Sequence, residues 1–228
     1  AFSIPGRMDR PEQVTDPKGE RTMQQGTAEK QETERRFAIG FETEGGYFAG
    51  IITINGQKFG IVVSPKEGDI ADQQWGPWKN RDAIEGANSF FDGQANTQAM
   101  AEAGSELAKA IQALNINGHT DWYLPARDEL ELVYRNLKPT DNRNFRLSGD
   151  NPSSVPVGYA YSIDEPAQTM ATEFQEDGEQ ALKPTWYWSS TQSSANFAWS
   201  QDFGNGDQDG VHKDLAFRAR AVRRFLIN

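Results

Sequence analysis

Few side chains in this sequence are spaced for chemistry. The chain has 228 residues, two histidines and no cysteine. Without cysteine there is no thiol nucleophile, thiolate zinc site, iron–sulfur ligation or disulfide framework. His119 and His212 stand far apart, H-E-x-x-H is absent, and neither has a second strong ligand at zinc spacing. G-x-S-x-G, a Walker loop and G-x-G-x-x-G before a helix are also missing. Asp202-Phe203-Gly204 spells a kinase tripeptide without any of its companion motifs, and reads as coincidence.

Three constellations remain. Asp128, Glu129 and Glu131 cluster at the start of a predicted helix. A carboxylate pair is the machinery of glycoside hydrolysis, but acids also favour a helix N-terminus through its dipole. In that simpler reading Glu129 satisfies free first-turn N–H groups. Asn205-x-Asp207-x-Asp209-Gly210 opens like a calcium loop, yet position twelve is Ala216 and the flanks read as strands. A polar hairpin tip without metal is expected there, with His212 in it as a surface group or partner contact. Arg218, Arg220, Arg223 and Arg224 alternate with apolar residues in the last strand. Their stems are expected to cover aromatics and their heads to pair with acids; phosphate or acidic-glycan binding is the other reading.

The most distinctive cluster is aromatic: Trp186, Tyr187, Trp188, Phe197, Trp199 and Phe203. Strand alternation puts Trp186 and Trp188 opposite Tyr187, and Phe197, Trp199, Gln201 and Phe203 on one face. The intervening Thr191–Asn196 is small, polar and expected to be exposed. Rigid aromatics beside adaptable Ser, Asn and Gln resemble a paratope in composition.

These residues must be held by a fold. Tyr47–Ile54 and Lys58–Ser64 read as a hairpin around Asn55-Gly56. Residues 65–97 read as loop, with Trp75 and Trp78. Helices are predicted over about Thr97–Leu114 and Ala126–Leu137, joined by a buried Trp122-Tyr123-Leu124 connector. Residues 138–184 hold five prolines and read as a long loop with a short helix near Ala167–Phe174. Trp186–Thr191, Phe197–Phe203 and Leu215–Phe225 read as three strands. This is an α+β pattern, two helices against antiparallel sheet.

Composition agrees. Hydrophobic residues make up 36% and aromatics 11%, enough for a core in residues 37–228. Residues 1–36 carry balanced charge and little apolar character, so the net −10 falls on the remainder. They read either as a floppy N-terminus or as an extended polar arm that orders on a partner subunit. The acidic balance argues against nucleic-acid binding, and no apolar run approaches a membrane span.

Asp121-Trp122-Tyr123-Leu124-Pro125-Ala126-Arg127-Asp128-Glu129-Leu130 resembles a "DW-x-LP-[ST]-x-x-E-L" motif. Trp186–Thr191 resembles "YWSST", and Arg218–Arg223 a closing "R-x-V-R" strand. Together they resemble the family of the Legionella collagen-like adhesin C-terminal domain over roughly residues 38–226. That family is related in fold to the C-type-lectin-like domains of phage tropism determinants and formylglycine-generating enzymes. Tyr123 and Ala126 depart from its usual basic residue and Ser/Thr.

The resemblance implies a C-type-lectin-like domain whose opening hairpin pairs near its last strand. It makes Asp121, Trp122, Pro125, Glu129, Trp188, Ser189, Ser190, Arg220 and Arg223 framework positions. The binding face would be the late β-meander: Tyr187, Gln192, Ser193, Ser194, Asn196, Phe197, Trp199, Gln201, Phe203, Asn205, Asp207, Gln208, Asp209 and His212. Related enzymes act through cysteines, so their mechanism is not inherited and no catalytic residue or cofactor is expected. The arm, the acidic character and the missing anchor together suggest a phage virion surface protein. It would contact other virion proteins through residues 1–36 and a host-surface glycan or protein through the domain, as a homo-oligomer, possibly a trimer. A head-decoration or tail-assembly role and a glycan hydrolase are the alternatives.

Overall fold

A computed structural model describes residues 35–76 and 82–227. The proposed arm, apart from its last two residues, and Trp78 lie outside the described residues. Among the described residues, ten strands and three α-helices form around two apolar clusters.

The first sheet has order β1 (Glu42–Thr43), β2 (Gly46–Ile54), β3 (Gln57–Val63) and β10 (Val222–Leu226), with β5 (Ser154–Val155) on the other side of β2. The β2–β3 hairpin turns at Asn55 and Gly56, both at positive φ (50° and 81°), as a tight primed turn requires. The last strand pairs with it antiparallel, Val222 opposite Val63. The second sheet runs β4 (Asp69–Gln74), β9 (Ala216–Arg220), β6 (Trp186–Gln192), β7 (Phe197–Asp202) and β8 (Gln208–His212). It is antiparallel except where β6 meets β9.

Several expectations are corrected. The first helix is two: α1 (Gly93–Glu102) and α2 (Glu106–Gln112). Gly104 at φ 98° breaks it, and Ser105 caps α2 by accepting from Ala108 N at 3.3 Å while donating to Trp75 O at 2.7 Å. Asp92 caps α1, which starts earlier than predicted. Residues 65–97 contain strand β4, whose Asp-Ile-Ala-Asp-Gln-Gln has little strand propensity beyond Ile70 and is recruited by β9.

The segment Leu215–Phe225 is two strands in different sheets. Residues 219–222 are all buried, so the Arg/apolar alternation is lost, and Ala221 makes the crossing with hydrogen bonds to Ser64 and Gly68. The predicted helix near 167–174 is only a 3-10 turn, Thr172–Phe174. The turn after β7 is shorter than expected because residues 208–212 form β8.

The third helix, α3 (Arg127–Leu137), is where the sequence places it. Leu130, Val133, Tyr134 and Leu137 join the first cluster with Ile52, Tyr187 and Phe203. Trp188, one residue on from Tyr187, lies in the second cluster with Trp75, Trp122 and Met100. Strand β6 thus lies between two cores, as its alternation dictates. The 138–184 segment is irregular but closely tied down. Lys138 is buried and donates to the Asn142 and Pro166 carbonyls, the latter at 3.2 Å.

Candidate recognition face

Strand β7 carries the face and also limits it. Phe197 is 38% exposed and Trp199 half-buried. Further along the same side Gln201 and Phe203 are buried, because α3 and the loop it carries cover that end of the strand. Phe203 packs on Tyr134 at 5.4 Å and Tyr187 at 4.9 Å between ring centroids. Tyr187 is equally buried. Its hydroxyl donates to Asp69 Oδ2 at 3.1 Å and accepts from Lys183 N at 2.9 Å, and burial raises its pKa to about 12. Tyr187, Gln201 and Phe203 are therefore core residues and do not belong to the exposed face.

Thr191 and Gln192 are buried too, against expectation. Gln192 Oε1 accepts from Ile84 N at 2.9 Å and Lys213 Nζ at 3.0 Å, and its amide nitrogen donates to Ile84 O. It fixes the 84–87 loop. Ser193 and Ser194 are exposed in the β6–β7 turn, where both backbone N–H groups donate to Phe197 O, and Asn196 is half-buried.

His212 lies at the end of β8, not in a turn. Its ring packs on Phe197 at 4.5 Å and sits 3.5 Å from Asp214. Asn205 closes its own turn by accepting from Asp207 N at 2.9 Å. Burial, then the Asp209 and Asp202 charges, raise the Asp207 pKa. Asp209 is exposed. Among the described residues no group of three or more His, Asp or Glu is placed to hold a metal ion.

Two residues of the face had no individual signal in the sequence. Arg127 lies with its guanidinium 5.3 Å from the Phe90 ring and 5.0 Å from the Trp199 ring, the two rings being 6.3 Å apart. Asp128 Oδ1 and Gln208 Oε1 accept from it at 3.2 and 3.3 Å, so the cation is held beside both rings. Phe90 is 41% exposed, and its carbonyl accepts from Asp128 N at 2.8 Å. Phe90 sits in an aperiodic loop, and Arg127 was visible only as one letter of a motif. The face is Phe90, Arg127, Trp199, Phe197 and His212, with Gln208 and Asp209 at its margin.

The acids of α3 are engaged in internal hydrogen bonds and ion pairs. Glu129 is fully buried and accepts from Gly93 N (3.1 Å), Ala126 N (2.8 Å) and Tyr123 OH (2.8 Å). Burial outweighs these bonds and raises its pKa to about 7. Glu131 accepts from Asn151 and Tyr161 and pairs with Arg135 at 2.8 Å. Asp128 accepts from Ser153 Oγ at 2.6 Å. Both are buried, and burial raises both pKa values.

The arginines pair as expected. Arg218 and Arg220 share Asp69, Arg223 forks onto Asp121, and Arg224 pairs with Asp92 over the Phe59 ring. Buried Arg220 also donates to the Ser64 and Gln180 carbonyls. Trp188 Nε1 donates to Gln73 O and Trp122 Nε1 to His119 O, while Pro125 O accepts from Ser190 N. Arg220, Trp188 and Pro125 thus each tie one element to another.

The result is an α+β domain in which buried polar junctions carry a small, partly exposed aromatic–arginine face. The chain belongs to the Lcl C-terminal domain family, an adhesin-like family that matches residues 71–223. A comparison with curated proteins finds no match.

Proposed function

We propose that this domain is a non-enzymatic recognition module with a C-type-lectin-like fold. It binds a host-surface glycan or protein from the surface of a phage particle, as a homo-oligomer, with residues 1–36 as the attachment to other virion proteins. The observation that carries the binding reading is the Phe90–Arg127–Trp199 cluster with Phe197 and His212 beside it. Rigid rings with exposed edges give contact area at small entropic cost, and a planar cation among them adds directional hydrogen bonding. Membership of an adhesin-like family supports the same reading. The burial and internal pairing of Asp128, Glu129 and Glu131 favour it over glycan hydrolysis.

The test is adsorption of the purified protein to host cells. Phe90→Ser, Phe197→Ser and Trp199→Ser together should abolish adsorption at unchanged thermal stability; retained adsorption refutes the reading. Protein mass spectrometry of purified phage particles tests the virion assignment, and absence of the chain there refutes it.

A structural-assembly role is favoured by a separate feature. Segments 144–151 and 158–163 are tied by backbone bonds between Asn144 and Ile163, Ser148 and Tyr161, and Asn151 and Gly158. They leave Leu147 87% and Tyr159 77% exposed. Leu147→Ser with Tyr159→Ser would disrupt particle assembly in that reading and leave it intact in the first.

A further inference from the structure

Beside the turn after β8, the described residues line an open cavity of about 540 Å³. That is within the roughly 300–1,000 Å³ of small-molecule pockets. Ile84, Ala99 and Ala195 make much of its wall apolar, with Trp75 and Lys213 completing it. Asp82, Glu85 and Glu102 also line it and are exposed, so they mark its mouth. Neither Phe90 nor Trp199 of the recognition face lines it.

Lys213 is unusual for a cavity wall. It is only 6% exposed. Its ammonium lies 3.0 Å from Gln192 Oε1 and 4.4 Å from the Trp75 ring centroid. Its backbone is fixed on both sides, N–H to Asn196 O at 3.0 Å and C=O to Trp75 N at 3.1 Å. An ammonium has three donors, and one amide oxygen and a ring do not use them all. Among the described residues no carboxylate pairs with it, and burial alone pulls its pKa down to about 8. A buried cation without a counter-ion is costly. A carboxylate brought by a ligand would remove that cost.

The mouth constrains the rest of the ligand. A simple anion must pass three carboxylates, and a simple cation would meet Lys213 inside. A molecule with opposite charges at its two ends satisfies both. We propose that this cavity binds a small zwitterion of the amino-acid class, its carboxylate on the Lys213 ammonium and its own ammonium at Asp82, Glu85 and Glu102. The site is separate from the recognition face and does not rest on it.

Isothermal titration of the full chain with 6-aminohexanoate and L-lysine tests this, with hexanoate and hexylamine as half-ligands. At least one zwitterion should bind saturably and about ten-fold more tightly than either half-ligand. Lys213→Met, which keeps an apolar stem against Trp75, should weaken binding by about ten-fold or more. Glu85→Gln with Glu102→Gln, both on the exposed mouth, should weaken it several-fold at unchanged melting temperature. These two keep the test valid if Lys213→Met fails to fold. No saturable heat for either zwitterion up to about 20 mM, equal binding in the mouth variant, or hexanoate binding as tightly as the zwitterions would overturn the proposal. Trp199→Ser should leave this binding unchanged, so failure of the recognition face and failure of this site are told apart.

Discussion

Asp121 and Arg223 meet in a two-bond fork. Arg223 Nε donates to Asp121 Oδ1 at 2.8 Å, and a terminal guanidinium nitrogen donates to Oδ2 at 2.9 Å. The same arginine donates to Glu44 O at 2.7 Å. The chain entering α3, the last strand and the turn between β1 and β2 therefore converge on one guanidinium.

That fork predicts a measurable coupling. Burial works to raise the Asp121 pKa, but the Arg223 hydrogen bonds and charge prevail and lower it. A lowered folded-state pKa means the contribution is present above the unfolded value near 3.8 and is lost as pH falls through the folded value. Because Asp121 is partly exposed, a double-mutant cycle of Asp121→Asn and Arg223→Gln should give about 1 kcal/mol at pH 7. Denaturant unfolding at pH 7 and at pH 2 checks this, the coupling shrinking at the lower pH.

Glu129 should impose the opposite pH dependence. Its pKa rises from 4.5 to about 7 on folding. The folded state then holds the proton more tightly, so this contribution is fully present below pH 4.5 and is lost as pH rises through about 7. Glu129→Gln should flatten the stability–pH curve over that window and keep an acceptor for Gly93 and Ala126. Glu129→Ala should cost about 3 kcal/mol or more, since three buried donors lose their partner. Unfolding curves across pH 4 to pH 8 separate the two.

Trp199 in β7 and Phe203 just past its end should respond differently. Phe203→Ala should destabilise by about 3–5 kcal/mol, as a large buried ring does. Trp199→Ser should lose cell adsorption with little change in unfolding midpoint. Equal destabilisation in both would show Trp199 to be core.

Ser105 is predicted to hold the break between α1 and α2. Ser105→Ala removes the cap on Ala108 N and leaves the Trp75 carbonyl without its donor. The expected cost is about 1–2 kcal/mol, read by thermal or denaturant unfolding.

Local patterns made much of the fold legible in the sequence. Asn55-Gly56 is determined locally, because both turn residues need positive φ. The α3 stripe of Leu130, Val133, Tyr134 and Leu137 and the Tyr187/Trp188 alternation follow from period alone. The arginines of the last strands pair with acids, as their charge requires.

Tertiary structure decided what those periods cannot encode. Strand alternation puts Phe197, Trp199, Gln201 and Phe203 on one side, but only packing by α3 and its loop buries the last two. Strand β4 exists because β9 offers it a ladder, not because Asp-Ile-Ala-Asp-Gln-Gln favours a strand. Arg218–Phe225 reads as one alternating run, and only the three-dimensional path crosses it between sheets at Ala221. Phe90, Arg127 and Trp199 come from a loop, a helix start and a strand, so no window of sequence contains their cluster. Sequence fixes which backbone conformations are cheap; contacts between distant segments set which surfaces stay exposed.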